Sequence, residues 1–387
     1  MSYDMVIVGA GIQGVGVAQA AVAAGYSVLV LEQKAVAAAT SSQSSKLIHG
    51  GLRYLESAQF SLVRESLQER ALLLELAPEL VRRVAMHIPV YGNTTRSPRL
   101  IATGLWLYRL LSGFDEDSEF SRLHRSEWDA LDGLQTRDLR AVYRYTEAQT
   151  DDAALTRAVL RSAQSLGAEL QMPAELVGAE HHAKGVRVTY RGEAREETVE
   201  ARVLVNCAGP WATEVIERVT PAMKPPEVEL VQGSHLLLPQ SLNHHFYLES
   251  PSDRRAIFAL PWEGRLLVGT TETVHQGAPE EARCLDSERD YLLGALTHYF
   301  PRMTIPRDQI ESFAGLRVLP KAEDSAFGRS REVLFHANNE QAPRVLSIMG
   351  GKLTTYRATA QDVLKRLRPS LPARRAVADT AKLPLTP

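Results

Sequence analysis

Residues 5–32 read MVIVGAGIQGVGVAQAAVAAGYSVLVLE, and this stretch decides the fold. Met5 to Val8 is a short apolar run of the kind that forms a buried parallel strand, and a glycine-rich turn follows it at once. In that turn Gly9 permits the sharp change of direction, Gly11 lets the backbone approach a pyrophosphate, and Gly14 lets the next helix pack on the sheet. The pattern predicts the phosphate-binding turn of a nucleotide site.

The elements after the turn complete a βαβ unit. Val15 to Ala24 has a helical pattern, ends at Gly25 and directs its first amides and positive dipole end toward the phosphates. A second apolar strand, Ser27 to Leu31, then delivers Glu32, whose carboxylate accepts hydrogen bonds from a ribose hydroxyl and repels a 2′-phosphate. Because strand, glycines, helix, strand and acid occur in this order, we expect a dinucleotide cofactor.

Residues 39–56 read ATSSQSSKLIHGGLRYLE and are dense in hydrogen-bond donors and glycines, where an ordinary NAD-binding domain would enter another helix. Over these eighteen residues the chain resembles the FAD-dependent glycerol-3-phosphate dehydrogenases, within the wider D-amino acid oxidase and sarcosine oxidase superfamily. Three later motifs resemble the same family: NCAGPWA at 206–212, SFAGLRVLP at 312–320 and SIMGGKLTTYR at 347–357. The resemblance covers residues 1–367 of the chain.

The resemblance implies an α/β fold, with a Rossmann-like FAD-binding domain of the glutathione-reductase type and an inserted antiparallel-sheet domain that holds the substrate. Short strands separated by turn residues between Glu229 and Thr271 favour such a sheet. Family members continue into a further helical domain, whereas this chain stops at Pro387. The expected domains are FAD-binding at 1–80, 145–215 and 340–370, substrate or cap at 81–144 and 216–339, and a Pro- and Arg-rich tail at 371–387.

The glycine-rich turn and the resemblance together imply a set of residues around FAD. Gly351 and its neighbours would form a second anion-binding turn at the mouth of a helix, facing the pyrimidine end of the flavin. Cys207 stands where the family motif has alanine, so we expect noncovalent binding. The implied cofactor residues are Gly9, Gly11, Ile12, Gln13, Gly14, Glu32, Gln33, Thr40, Ser41, Ser42, Ser45, Lys46, His49, Gly50, Gly51, Val177, Ala208, Gly209, Trp211, Gly315, Arg317, Gly351, Lys352, Leu353 and Thr354.

Five side chains are candidates for the chemistry itself. Arg53 and Arg317 lie in family motifs and suit a substrate phosphate, because a planar guanidinium can bind two oxygens, and Tyr54 can donate a further hydrogen bond. His235 has the intrinsic pKa of a proton acceptor, although a structural histidine explains it equally well. Lys352 would stabilise the negative charge of the reduced flavin near N1 and C2=O.

The reaction implied by the resemblance is oxidation of sn-glycerol 3-phosphate, or of a closely related polyol phosphate or 2-hydroxy acid, to the ketone. Hydride would pass to flavin N5, and the electrons would then reach a quinone, oxygen or a redox protein. Two departures within the motifs leave the exact substrate open: Glu272 replaces an aspartate and Val318 replaces a proline. The alternatives are a flavin amine or amino-acid oxidase, a dehydrogenase that uses free NAD, and a non-catalytic flavin-binding protein.

The amino-acid composition limits the classes of molecule that the protein is expected to bind. The 387 residues are 44% hydrophobic and 23% charged, with a net charge of −2 and a pI near 6.6, which gives no support to nucleic-acid binding. The two cysteines, Cys207 and Cys284, show no metal-ligand spacing and no disulfide framework, so we expect no metal. With no signal peptide or membrane span in the pattern, we expect a cytoplasmic protein, with peripheral contact with a membrane left open.

One apolar stretch has two interpretations. Residues 99–111, RLIATGLWLYRLL, have helical spacing and could form a membrane-surface helix. Packing in the core or against a second subunit is the preferred interpretation, because few basic residues lie on a polar face. The oligomeric state stays open.

Overall fold

The computed structural model describes residues 2–321 and 333–387. Its α-helices in these ranges are α1 (Ile12–Ala23), α2 (Phe60–Leu76), α3 (Pro98–Leu111), α4 (Asp152–Ser165), α5 (Ala212–Glu217), α6 (Asp286–Tyr299) and α7 (Tyr356–Leu367). The strands are β1 (Ser2–Val8), β2 (Val28–Leu31), β3 (Leu47–Ile48), β4 (Val81–Tyr91), β5 (Phe120–Arg122), β6 (Leu139–Thr150), β7 (Glu169–Gln171), β8 (Glu175–His182), β9 (Gly185–Arg191), β10 (Glu196–Asn206), β11 (Val219–Thr220), β12 (Val228–Leu238), β13 (His245–Glu249), β14 (Ala256–Trp262), β15 (Arg265–Gly269), β16 (Thr273–Val274), β17 (Glu311–Pro320), β18 (Leu334–Ala337) and β19 (Val345–Met349).

The first sheet has a parallel centre. Its strand order is β11-β8-β9-β10-β1-β2-β7, and β19 also pairs with β10 while β18 pairs with β19. β1, β2, β7, β10 and β19 run in the same direction, so their carboxyl ends meet at one edge of the sheet. Ligands bind at that edge in open α/β sheets. The βαβ unit predicted from the sequence is present.

Helix α1 packs closely because its glycines allow it. A Cβ on Gly14 would lie 1.9 Å from the backbone oxygen of Gly9, and a Cβ on Gly16 would lie 2.6 Å from the ring of Tyr356 in α7. Apolar residues of α1, α4 and α7 form one continuous core with β1, β2 and β10. The turn before α1 is therefore held rigidly at the edge of the sheet.

The second sheet has the strand order β16-β12-β15-β14-β13-β4-β6-β3, with β17 paired to β12 and β5 to β6. Its pairs are antiparallel except for β4 with β13. One face packs against α6, and the other packs against α2 and α3. The predicted fold class, a Rossmann-like domain with an inserted sheet domain, is confirmed.

The division into domains stays a prediction. Some strands belong to a different sheet from the one that the predicted domain boundaries imply. β3 and the last part of β6, residues 145–150, belong to the second sheet, although the predicted cofactor domain includes residues 1–80 and 145–215. β11 and β18 belong to the first sheet, outside the ranges 145–215 and 340–370. β3 matters most, because it joins the loop after β2 to the substrate-side sheet.

The segment 371–387 is packed on the first domain. The amides of Val377 and Ala378 donate to the carbonyl of Ala23 at the end of α1, at 2.8 and 3.1 Å. Leu385 is buried in the core and its amide donates to the carbonyl of Leu76. Composition alone predicted a tail here, because a few buried apolar residues are hidden among prolines and arginines.

Helix α3 is only half covered. Leu105 and Tyr108 are buried against the second sheet, as the preferred interpretation required. Leu100 and Trp106 are each 56% exposed, so the outer face of the helix has no cover within the described chain. None of the helices in the described ranges combines the length and hydrophobicity that a membrane span needs.

Candidate active site

A cavity of about 610 Å³ lies where the carboxyl ends of the parallel strands face the second sheet. Nineteen of the residues predicted to contact a cofactor line it, together with Tyr54 and His235 from the catalytic set. These nineteen are Gly9, Gly11, Ile12, Gln13, Glu32, Gln33, Thr40, Ser41, Ser45, His49, Ala208, Gly209, Trp211, Gly315, Arg317, Gly351, Lys352, Leu353 and Thr354.

The glycine-rich turn has the geometry of a phosphate cradle. Gly9 has a φ of 101°, and a Cβ on it would lie 2.6 Å from the carbonyl oxygen of Cys207, so only glycine fits. Gly11 caps α1 in an extended conformation, and the amide of Ile12 is held by Ser41 Oγ at 2.9 Å. The amino-terminal turn of α1 therefore opens onto the cavity, where its dipole favours an anion.

Glu32 lies at the end of β2 and lines the cavity. Its Oε2 accepts the amide of Ala10 and its Oε1 accepts the amide of Lys34, both at 2.8 Å. Each carboxylate oxygen has a second lone-pair direction, so these bonds orient the group and leave it able to accept a hydroxyl. Its role toward a ribose stays a prediction.

Six predicted cofactor residues lie outside this lining, and most of them shape the loop. Lys46 Nζ donates to Asp152 at 2.6 Å and to the carbonyl of Ser42 at 2.7 Å, so it ties the loop to α4. Gly50 packs under Tyr108, whose hydroxyl would lie 2.2 Å from a Cβ. Gly14 packs on the glycine-rich turn, and the hydroxyl of Ser42 donates a hydrogen bond to the carbonyl of Ala39. Gly51 lines a second pocket, and Val177 follows residues 174–176, which line the cavity.

The lining fits a flavin nucleotide in its polar groups as well as its glycines. Gln13 Oε1 and Gln43 Oε1 are buried at the cavity and have no hydrogen-bond partner among the described residues. Gly351 has a φ of 90°, and a Cβ on it would lie 2.4 Å from Gln13 Nε2. Buried polar atoms of this kind are normally satisfied by a ligand or water. The residues present therefore suit FAD.

Cys207 is the thiol in the described lining of the cavity, and it is not activated. Burial raises the pKa of the Cys207 thiol, which keeps it protonated and a poor nucleophile. Among the described residues, no group of three His, Cys, Asp or Glu side chains is arranged to hold a metal ion.

A second, smaller pocket of about 80 Å³ adjoins the cavity, and both are lined by Tyr54 and Arg317. Arg53 and Tyr54 reach it from a 3-10 turn, Leu52–Leu55, which begins after Gly51. Gly51 has a φ of 76°, and a Cβ there would lie 2.3 Å from the Tyr54 ring. The glycine pair of the motif therefore sets the direction of both side chains.

Two charged residues of this pocket were not identified from the sequence as ligand-binding groups. Arg255 lies just before β14 and Glu272 lies just before β16, and both line the pocket with Arg53 and Arg317. Arg317 donates to Glu272 Oε1 at 3.0 Å and to Thr270 Oγ1 at 3.3 Å. Arg255 Nη1 donates to the backbone oxygen of Glu272 at 3.1 Å. Three guanidinium groups therefore converge on one small space.

His235 lies in β12 where the large cavity meets the second sheet. Its Nε2 is 2.8 Å from Ser45 Oγ, and its ring stacks on Phe313 with centroids 4.9 Å apart. Burial, followed by the positive charges of Arg317 and Lys46, lowers the pKa of His235 to about 3. The imidazole is therefore neutral near pH 7 and has a nitrogen that can accept a proton, and the same lowered pKa makes it a weaker base than a free histidine.

Lys352 follows the glycine pair at 350–351 and reaches back over the Tyr54 ring, with Nζ 3.9 Å from the ring centroid. This cation–π contact joins the late motif to the early one. Thr354 Oγ1 accepts the amide of His49 at 3.2 Å and makes a second link between the same motifs. The structure thus brings together all five predicted catalytic side chains around the cavity and the pocket.

A buried ion pair supports the turn that carries Arg53. Arg70 Nη1 lies 2.8 Å from Glu147 Oε2, and both side chains are almost fully buried. Glu147 also accepts the hydroxyl of Tyr108 at 2.6 Å and the amide of Gly50 at 3.3 Å. Because every oxygen of this carboxylate is bonded within the protein, we assign it a supporting role.

A surface contact joins the two domains over the cavity. The indole Nε1 of Trp211 donates to Glu280 Oε1 at 2.7 Å, and Lys34 Nζ lies 3.8 Å from the same oxygen. Lys34 and Trp211 come from the first domain and Glu280 from the segment before α6, and all three line the cavity. We call these three residues the surface clasp.

Comparison with known proteins agrees with this geometry. The family described as FAD dependent oxidoreductase matches residues 4–357. The glycerol-3-phosphate dehydrogenase of Pseudomonas aeruginosa is 38% identical over 390 residues, covering 99% of this chain and 75% of the relative. The D-erythritol 1-phosphate dehydrogenase of Brucella abortus is 34% identical over 391 residues, covering 95% of this chain and 74% of the relative.

Solved structures show the same fold. The glycerol-3-phosphate dehydrogenase from Bacillus halodurans complexed with FAD matches with a TM-score of 0.76 at 26% identity, over 99% of this chain and 68% of that one. The L-alpha-glycerophosphate oxidase from Mycoplasma pneumoniae, at 16% identity, matches with a TM-score of 0.73 over 95% of each chain. The sequence-based assignment is confirmed: this chain belongs to the family of FAD-dependent oxidoreductases, and FAD is its cofactor.

Proposed function

We propose that this enzyme oxidises a small polyol phosphate, with sn-glycerol 3-phosphate as the first candidate, to the corresponding ketone. The observation that carries the proposal is the pocket beside the cofactor cavity, where Arg53, Arg255 and Arg317 converge. A cluster of guanidinium groups suits a phosphate monoester, which offers three oxygens and about two negative charges. The names of two relatives, a glycerol-3-phosphate and a D-erythritol 1-phosphate dehydrogenase, support the same substrate class.

The pocket residues would hold the phosphate end of the substrate. Arg53 and Tyr54 approach from the turn after Gly51, and Arg317 approaches from β17 on the opposite side. The volume of about 80 Å³ suits a group the size of a phosphate. Fixing that end orients the rest of the substrate toward the large cavity, which lowers the entropic part of the barrier.

His235 would accept the hydroxyl proton. The residue lines the large cavity together with Thr270 and Arg317, and both of these also line the phosphate pocket. Its neutral imidazole is held by Ser45 and by the stack on Phe313, so the ring cannot turn freely. FAD, when bound, supplies the acceptor for the hydride that leaves the carbinol carbon.

Lys352 and the amides that follow Gly351 would stabilise negative charge at the flavin. They lie at the start of the chain segment leading into α7, and Lys352 is fixed by the Tyr54 ring. Fixed positive groups in a water-poor site stabilise a developing anion without further reorganisation. We propose that the electrons then leave to an external acceptor of the quinone, oxygen or redox-protein class.

We propose a cytoplasmic enzyme with peripheral contact with a membrane through α3. Leu100, Trp106 and Leu110 on its outer face are exposed, and Phe114 just beyond it is 51% exposed. Aromatic and leucine side chains with arginine nearby are typical of surfaces that enter the headgroup region. The free cysteines fit a reducing compartment.

Anaerobic titration of the FAD-loaded protein, followed by the visible flavin bands, tests the substrate class. We expect sn-glycerol 3-phosphate or D-erythritol 1-phosphate to bleach the flavin, and glycerol without phosphate to leave it oxidised at equal concentration. Sarcosine and D-alanine serve as probes of the amine-oxidase alternative. Bleaching by an amine substrate with no response to any polyol phosphate would show that the proposal is wrong.

A further inference from the structure

Glu272 is a buried carboxylate inside a pocket built for an anion. It follows β15 through Thr270 and Thr271, and its side chain is only 4% exposed. It lines the pocket together with Arg53, Arg255 and Arg317. A carboxylate in this position repels the ligand that the arginines attract, so its presence there needs a physical reason.

The contacts of Glu272 show what it does to the arginines. Its Oε1 lies 3.0 Å from Arg317 Nη1, and its Oε2 lies 4.0 Å from Arg255 Nη1. One carboxylate therefore faces two of the three guanidinium groups that line the pocket. An incoming phosphate would have to share Arg317 with it.

Two other buried carboxylates nearby differ from Glu272. Glu147 is neutralised by Arg70, which does not line the pocket. Glu288 is held by the hydroxyls of Thr271, Thr273 and Ser234. Their partners are structural groups, whereas the partners of Glu272 are the ligand-binding groups themselves.

The charges of the described lining residues indicate how Glu272 affects the binding of phosphate. Glu272 places one negative charge among three guanidinium groups, whereas Glu147 in the same lining is paired with Arg70. A phosphate monoester carries about two negative charges near neutral pH. Without Glu272, the lining would carry one negative charge fewer and would hold a dianion more tightly.

We propose that Glu272 is a specificity-determining residue that lowers the affinity of the pocket for phosphate, so that the phosphorylated product can leave. The proposal rests on the phosphate role proposed above for this pocket. Tighter binding of substrate and product alike would not speed the chemical step, and it would slow product release. The Glu272 carboxylate thus lowers the affinity for phosphate and thereby speeds release of the product.

The test is the affinity of the FAD-loaded protein for inorganic phosphate, measured by calorimetry at about pH 8, where the ligand is mainly dianionic. Glu272→Gln keeps the shape and removes the charge. We expect the Kd for phosphate to fall about tenfold, as one unit charge a few ångströms from a dianion would give after partial screening. Added sodium chloride should narrow the gap, which a purely structural effect would not do.

Two further variants make the measurement decisive. Glu272→Asp keeps the charge and should remain within about threefold of the unchanged protein, because the Coulomb term persists. Glu193→Gln removes a carboxylate from the exposed turn between β9 and β10 and should leave the Kd unchanged. Visible absorbance and thermal denaturation confirm that each variant is folded and holds FAD.

Several outcomes would overturn the proposal. Weaker or unchanged phosphate binding in Glu272→Gln would mean that Glu272 positions Arg317 and does not restrain affinity. An Asp variant that behaves like the Gln variant would exclude charge as the cause. Because phosphate binding needs no turnover, a protein that never reduces its flavin with glycerol 3-phosphate but binds phosphate more tightly as Glu272→Gln would refute that substrate and leave standing the role of Glu272 in limiting phosphate affinity.

Discussion

The cofactor cavity and the phosphate pocket lie side by side but are built in different ways. The cavity includes glycine-containing segments of backbone, namely the turn at residues 9–14, the loop at 38–49 and the glycine pair at 350–351. The pocket is formed by charged side chains from widely separated parts of the chain, Arg53, Arg255, Glu272 and Arg317. The first therefore recognises its ligand by shape and close approach, and the second recognises it by charge.

This difference predicts which substitutions matter in each region. In the cavity, an added methyl group should do more damage than a lost charge, because the backbone must touch the ligand. In the pocket, a lost charge should do more than a change of shape, because few other groups can hold a phosphate. The predictions below separate the two modes of recognition.

Gly11→Val should have the largest effect. Gly11 has a φ of −75°, which any residue adopts, and the nearest atom to an added Cβ is Ser41 Oγ at 3.1 Å. The fold should therefore survive while the side chain enters the space of the pyrophosphate. We expect FAD affinity to fall by about 3 kcal/mol or more, roughly a hundredfold. Gel filtration followed by visible absorbance measures the loss.

The matched control is Gly104→Val in α3. A Cβ at Gly104 would meet no atom within 4 Å, and the residue lies on the outer helix, away from the cavity. This variant should retain its flavin and its thermal stability. A yellow Gly11→Val protein would contradict the placement of the cofactor at this turn.

The phosphate-binding turn of the cavity could be predicted from the sequence because its parts are contiguous. A strand, three glycines, a helix, a strand and an acid within residues 5–32 specify a local structure whose geometry hardly depends on the rest of the chain. Among the predicted cofactor residues of that stretch, Gly14 lies outside the lining and packs against the backbone of Gly9, in keeping with the helix-packing role predicted for it. Lys46 is similar, because its partner Asp152 lies 106 residues away.

Of the residues that line the pocket, only those that lie within a family motif could be predicted from the sequence. Arg53 and Arg317 belong to the stretches LIHGGLRYLE and SFAGLRVLP, whereas Arg255 stands in a pair, Arg254-Arg255, at the start of an ordinary apolar strand. Only one member of that pair faces the pocket, and alternation along a strand could not say which, because the order of strands in the sheet was unknown. Non-local pairing is the information that one sequence lacks.

Arg317→Ala should have the next largest effect, on substrate and not on flavin. Removing a charged hydrogen-bond donor from a partly buried site should cost about 2–3 kcal/mol, roughly 30- to 150-fold in the Kd for glycerol 3-phosphate. The loss also leaves the carboxylate of Glu272 facing the ligand, which adds repulsion. Flavin content should stay near that of the unchanged protein, since Arg317 is one of many residues that line the cavity.

Anaerobic titration of the flavin bands measures this Kd. Arg307→Ala is the matched control, because Arg307 is exposed and pairs only at the surface with Asp290. Arg317→Lys should recover part of the affinity, because lysine keeps the charge but loses the two-pronged geometry. An Arg317→Ala protein with unchanged affinity for the substrate would remove this residue from the phosphate site.

Glu280→Ala should have the smallest effect, and it tests whether an exposed contact between charged side chains helps to retain the cofactor. The surface clasp joins Glu280 to Trp211 and Lys34 over the cavity, but its charged side chains are 48% and 56% exposed. Exposed pairs of this kind contribute about 0.5 kcal/mol, so FAD release should speed up roughly twofold. Flavin fluorescence after dilution measures the rate, and Glu281→Ala is the neighbouring control. A tenfold change would mean that the cavity depends on charge as strongly as the pocket does, and the contrast between the two regions would fail.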